Sequence, residues 1–192
     1  MTTITTSEIL TSLAGYLASV ALAQYNSDGS YLDHPDLPAI LFADADTPDH
    51  CVVLTIVGTD PGLGDVDVAL GFRATGVTPF AVESLADAVA EHFADAFDIE
   101  TRAIWDKGTV VTMPLVTLPG GSTLVAVQQI TRGTAELTSP AKHKGARFAR
   151  TDTYRMTRPG VSGDSRSWED LSYGTSEQVP RRASRASGAH GR

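Results

Sequence analysis

Hydrophobic and polar positions change period several times along this chain. Ile9, Leu10, Leu13, Leu17, Val20 and Ala21 recur at steps of three and four, which predicts a helix ending near Gln24. Thr5 and Glu8 stand at the spacing of a capping box at its start. Asn26 to Gly29 reads as a turn, residues 30–38 as a polar loop, and Ala39 to Phe42 as a short strand. Val52 to Val57 is apolar on both faces, the pattern of a strand covered on both sides. After a stretch dense in turn formers, Gly58 to Asp65, the period becomes two. Val66, Val68, Leu70 and Phe72 point one way, and Asp67, Ala69, Gly71 and Arg73 the other. Thr78 and Pro79 then predict a second helix, with Thr78 as N-cap and Pro79 first in the helix. Its apolar face is Val82, Leu85, Ala86, Val89, Phe93 and Phe97. This strand–turn–strand–helix unit, Cys51 to Phe97, organises the rest. Its expected core is Leu54, Ile56, Leu70, Phe72, Leu85, Val89 and Phe93.

Further on, Thr101 to Trp105 fits either strand or loop. Val110 to Leu118 and Leu124 to Thr131 predict a hairpin around Pro119-Gly120-Gly121-Ser122, with Pro114 making the first an edge or bulged strand. Residues 133–146 read as a loop, and Ala146 to Met156 as a last strand. Phe148, Tyr154 and Met156 lie on one side of that strand, and Arg147, Thr151 and Arg155 on the other. From Pro159 the composition shifts: 19 of the last 34 residues are Ser, Gly, Pro or Arg. Such a segment buries too little apolar surface to fold alone, so Trp168, Leu171 and Tyr173 are expected to anchor it on a partner. The predicted organisation is one α/β (α+β) domain over residues 1–158, a mixed or antiparallel sheet packed by two helices. An extended segment over residues 159–192 follows.

A chain of 192 residues with 42% hydrophobic content is long enough for one sizeable core. No apolar run approaches the roughly 20 residues that span a bilayer, and the N-terminus lacks the basic and apolar regions of a secretory signal. Neither membrane association nor export is therefore expected. One cysteine, Cys51, excludes an intrachain disulfide and a cysteine-rich zinc site. The net charge of −8 is unevenly spread. Residues 1–141 carry 18 acids and 4 bases, whereas residues 142–192 carry 5 acids and 11 bases. An acidic body with a basic end suits either nucleic-acid contact or the meeting of one copy's basic end with another's acidic face.

The residues that carry reactive chemistry elsewhere give little here. Gly58 to Gly64 follows a strand as a phosphate loop does, but no Lys-Ser/Thr comes after it, the next element is a strand, and the loop carries Asp60 and Asp65. A hairpin turn is the expectation. Asp44, Asp46, Asp49 and His50 lack the Gly and terminal Glu of a calcium loop. His50 and Cys51 are adjacent, so in a strand they point to opposite faces and make no nucleophile–base pair. His34, His92 and His143 fall in loops or on a polar helix face, and no nucleophile elbow appears. The expectation is a protein that is not an enzyme, with no catalytic residue, no metal ligand and no cofactor. The informative polar pattern is Glu83, Asp87, Glu91 and Asp95, a strict four-residue stripe down the second helix. Like charges at that spacing each cost a few tenths of a kcal/mol. The stripe is either a solvated face or a docking surface for basic residues of another subunit. The available bases are Lys142, Lys144, Arg147, Arg150, Arg155 and Arg158.

Five short segments come in a telling order: Leu118-Pro119-Gly120-Gly121, Val125 to Arg132, Gly145-Ala146-Arg147, Thr151-Asp152-Thr153-Tyr154 and Arg158-Pro159. Over residues 5–159 the chain resembles the tail terminator proteins, also called minor capsid or tail completion proteins, of actinobacteriophages with long non-contractile tails. It departs from that pattern in lacking a Leu-Gly-x-Asp turn before the last strand and in its longer C-terminal end. The resemblance implies a structural virion protein that forms a ring, a hexamer in that family, on the last ring of the tail tube. Such a ring ends tail polymerisation and meets the head–tail connector protein at the head–tail junction, after assembly in the host cytoplasm. Its partners would be other copies of itself, the tail tube protein and the connector, with genomic DNA passing through without specific binding. Interface residues would be the stripe Glu83, Asp87, Glu91 and Asp95, the bases Arg147, Arg150, Arg155 and Arg158, and the anchors Trp168 and Tyr173. Rival expectations are another neck or tail-tube protein, or a small nucleic-acid-binding module using residues 142–192.

Overall fold

The computed structural model describes residues 6–31, 37–43, 48–60, 64–76, 78–98, 104–106, 109–112, 116–139 and 146–159. Thr5, His34, Asp44, Asp46, Pro114, Lys142, His143, Lys144, Trp168, Leu171 and Tyr173 lie outside the described residues, and so does the predicted segment beyond Pro159.

Helix α1, Thr6–Ser19, buries Ile9, Leu13 and Leu17 of the predicted stripe together with Ala14, while Leu10 and Val20 are half-buried and Ala21 is exposed. It stops short of the predicted end near Gln24. Ala21 takes a left-handed φ of 57°, while the Leu22 amide donates to the Leu17 carbonyl at 3.0 Å and the Ala21 amide to that of Ala18 at 3.1 Å. That is a Schellman closure with alanine where glycine usually stands. Gln24 then forms a backbone bridge to Ala39.

Strands β1 (Ala39–Leu41), β2 (Cys51–Asp60) and β3 (Asp65–Gly76) follow, then helix α2 (Phe80–Ala96). The β2–β3 register pairs Asp60 with Asp65, and Gly64, at φ 72°, donates its amide to the Asp60 carbonyl at 2.8 Å. The glycine-rich stretch is thus a hairpin connection. The α2 start differs by one residue from expectation. Pro79 occupies the cap with φ −71° and ψ −3°, and no side chain caps the helix.

Short pairs come next: β4 (Ile104–Asp106) with β5 (Thr109–Thr112), and β6 (Val116–Thr117) with β7 (Thr123–Leu124). The hairpin predicted for residues 110–131 is therefore cut short. Gly120 and Gly121, at φ 94° and 91°, turn the chain, and the Leu118 amide bonds the Ser122 carbonyl at 2.7 Å. That turn docks on α1, where Ser12 Oγ donates to Ser122 Oγ at 2.9 Å and Leu118 is buried. Strand β8 (Ala126–Thr131) leaves β7 and joins the main sheet. The predicted 133–146 loop holds a further strand, β9 (Glu136–Ser139). Both flank the last strand, β10 (Ala146–Thr157).

The main sheet runs β1-β2-β3-β10-β8, with β9 also on β10. β1 is parallel to β2, and the other pairs are antiparallel. The protein is thus α+β, two helices on a mostly antiparallel mixed sheet. Leu54, Leu70, Phe72, Val89 and Phe93 are buried in one cluster, with Ile56 and Leu85 partly buried against it. Both faces of β2 do not share this cover: Thr55 is exposed and Val57 is 58% exposed. Being apolar on both faces told of strand propensity; the face toward the helices is covered, and the other is covered only at its start, at Cys51 and partly at Val53.

Candidate interface site

Period-two alternation on β10 places Phe148, Arg150, Asp152, Tyr154 and Met156 on the face that meets α2. Arg150 therefore enters the core layer with its side chain fully covered. It meets Asp152, two residues on, whose side chain is equally covered, through Nε–Oδ1 at 2.9 Å and Nη2–Oδ2 at 2.8 Å. This bidentate pair is the strong form of the interaction. The remaining donor, Nη1, reaches Asp87 Oδ1 at 2.9 Å and Glu83 Oε2. The carboxylate of Asp152, ahead of those of Asp87 and Glu83, holds the Arg150 pKa above its usual value, against the opposing effect of burial.

The carboxylates have further donors. Asp152 also accepts from the Gly133 amide at 2.9 Å and from Gln129 Nε2 at 3.0 Å. Glu83 accepts from the Ala135 amide at 3.1 Å, and Asp87 from Arg132 Nη2 at 2.9 Å. A β-carbon on Gly133 would sit 2.3 Å from the Thr151 carbonyl oxygen, so glycine alone lets the 132–135 segment approach β10 closely. The cluster thus ties α2, β10 and the chain linking β8 to β9 together. Tyr154 lies beneath it, its ring 5.1 Å from that of Phe93, and burial pushes its hydroxyl pKa up.

The acidic stripe divides in two. Glu83 and Asp87 are engaged within the chain by Arg150, while Glu91 and Asp95 are exposed with no ion pair among the described residues. The basic strand is also largely engaged. Arg147 pairs with Asp49, Arg155 holds Asp67 at 2.9 and 3.1 Å, and Arg158 Nε donates to the Gly64 carbonyl at 2.9 Å. Exposed pairs such as Arg155–Asp67 contribute only about 0–1 kcal/mol. His92, expected on a polar face, is half-buried, with Nε2 3.0 Å from the Tyr16 hydroxyl.

Asp152, Gln129, Gly133 and Arg132 were not singled out by sequence reasoning. The signal was present for Asp152, which with Arg150 is in phase with Tyr154 and Met156 on the buried side of β10.

Among the described residues, no group of three or more His, Cys, Asp or Glu is arranged to hold a metal ion. None of their helices is long and apolar enough to cross a membrane. Comparison with protein-family models, curated proteins and solved structures finds no match to this chain.

Proposed function

We propose that this chain is a structural ring protein of a long-tailed bacteriophage, a tail terminator that caps the tail tube and joins it to the head connector. The observation that carries the reading is the convergence of the segments in which the resemblance lies. The Leu118–Gly121 turn packs on α1, β8 pairs with β10, and the Val125 amide bonds the Thr157 carbonyl at 2.7 Å. These segments are neighbours in the fold, which supports reading them together. Arg147, Arg150 and Arg155 pair with carboxylates inside the chain and Arg158 donates to the Gly64 carbonyl, which favours a ring protein over a nucleic-acid-binding module built on these four bases, because each already has a partner before any phosphate arrives. Glu91 and Asp95 remain as acidic contacts for a neighbouring subunit or for the tube.

The test is tail morphology. Phage produced without this chain should yield tails of irregular, extended length that do not join heads, and adding the purified chain should restore joining at one tail tip. Normal tails and normal joining in its absence would end this reading.

A further inference from the structure

Four successive strands of the sheet, β2, β3, β10 and β8, are antiparallel neighbour to neighbour, and among the described residues both outer strands of this set have an open side. β1 covers β2 only along Cys51–Val53, so Leu54–Thr59 has no ladder partner on its outer side among the described residues. On the opposite margin, β8 pairs with β10 alone among the described residues. The two margins lie at the same level of the sheet: Thr131 is opposite Thr153, Thr153 opposite Ala69, and Ala69 opposite Thr55.

Soluble proteins guard such edges with charged residues, proline or bulges, and of these only bulges are present here. Neither Leu54-Thr55-Ile56-Val57-Gly58-Thr59 nor Ala126-Val127-Gln128-Gln129-Ile130-Thr131 contains a charged residue or a proline. Each instead presents an exposed aliphatic residue, Val57 at 58% and Ile130 at 41%. Both sit where the ladder shifts register, between Ile56 and Gly58 on β2 and between the partners of Thr153 and Tyr154 on β8. Such a bulge sets the residue outside regular pairing.

We infer that the β8 edge of one copy pairs with the β2 edge of the next, so that the sheet continues from subunit to subunit. Three features select a second copy as the occupant. The strand count is even, so β8 runs opposite to the β2 of a following copy and the antiparallel alternation is preserved across the junction. The two edges match in charge: in a chain of net charge −8, these are two uncharged strips, and their meeting incurs no like-charge repulsion. The edges differ from each other, so the contact is head-to-tail and every copy uses each edge once, as a closing ring requires. The inference rests on the ring reading above and specifies its contact.

The experiment places one lysine on either edge of the whole chain, as Val57→Lys or Ile130→Lys. Both positions are exposed, so the circular dichroism spectrum should match the parent, while the melting temperature loses only what assembly contributes. The parent should sediment as one discrete oligomer, and each variant alone as a monomer. An equimolar mixture of the two should give a heterodimer and nothing larger, because one intact β8 edge and one intact β2 edge remain to pair. Assembly of both variants like the parent would overturn the edge contact and leave the ring reading standing. A Val57→Lys variant that still dimerises by itself would overturn the head-to-tail arrangement in favour of β8 pairing with β8. A mixture that stays monomeric would overturn edge pairing altogether. A monomeric parent would overturn both the edge contact and the ring.

Discussion

Replacing Arg150 by methionine is the sharpest probe of how the fold is held. Methionine keeps an unbranched apolar stem and removes the charge, so lost volume is a small part of the effect. Asp152 then keeps two of its four hydrogen-bond donors, the Gly133 amide and Gln129, and its carboxylate stays buried without a counter-ion. One ion pair at close range is worth about 4 kcal/mol at an effective dielectric of about 20. Removing one partner of a buried pair costs about 3–5 kcal/mol. Glu83 and Asp87 add little to this because both are partly exposed. We expect Arg150→Met to lose about 3–5 kcal/mol in urea denaturation, or roughly 6–20 °C in melting temperature for a domain of this size. The double variant Arg150→Met/Asp152→Leu removes both charges and should recover at least about 2 kcal/mol of that loss, a coupling typical of residues in one network. A single variant within about 1 kcal/mol of the parent, or a double variant worse than the single, would refute the assignment of Arg150 and Asp152 as a mutually dependent buried pair.

Other outcomes follow from the same geometry. Asp87→Lys sets a cation beside Arg150 and should cost about 0.5–3 kcal/mol of the chain's own stability, whereas Glu91→Lys/Asp95→Lys removes no ion pair seen among the described residues and should cost less than about 0.5 kcal/mol; equal effects would mean that the stripe is not divided. Gly133→Ala forces the chain away from Thr151 and should cost about 2–5 kcal/mol through overpacking and lost bonds to carboxylates. The same substitution should remove hydrogen-exchange protection at the Gly133 and Ala135 amides. Tyr154 has a raised pKa in the folded state, so above pH 10 the unfolded chain releases its proton first. Stability is intact below that pH and falls as pH rises beyond it, by up to about 1.4 kcal/mol per pH unit for one group. Tyr154→Phe should flatten that alkaline slope, and an unchanged slope would contradict the burial argument.

Much of the layer structure was legible because it rests on side-chain periodicity. The alternation of Val66, Val68, Leu70 and Phe72 and the stripe of Val82, Ala86, Val89 and Phe93 each give one face, and those faces meet. The parts that were not legible depend on particular contacts. β9 is four residues long, and nothing local distinguishes Glu136-Leu137-Thr138-Ser139 from loop until β10 pairs with it. α1 ends where it does because Ala21, a good helix former, takes a left-handed conformation that its type disfavours. The acidic stripe was visible, but its division was not, because Arg150 reads as a surface residue by type while its phase on β10 turns it inward. The open edges at Leu54–Thr59 and Ala126–Thr131 emerge from strand order, which periodicity does not specify.

The central claim is that copies of this chain close into a ring, and electron micrographs of the purified 192-residue chain test it most directly. The account predicts class averages showing closed rings of one size around an open centre, with a sedimentation mass that is an integral multiple of the chain mass of 20.3 kDa. Particles of monomer size at every soluble concentration, or open filaments without closed rings, would contradict it.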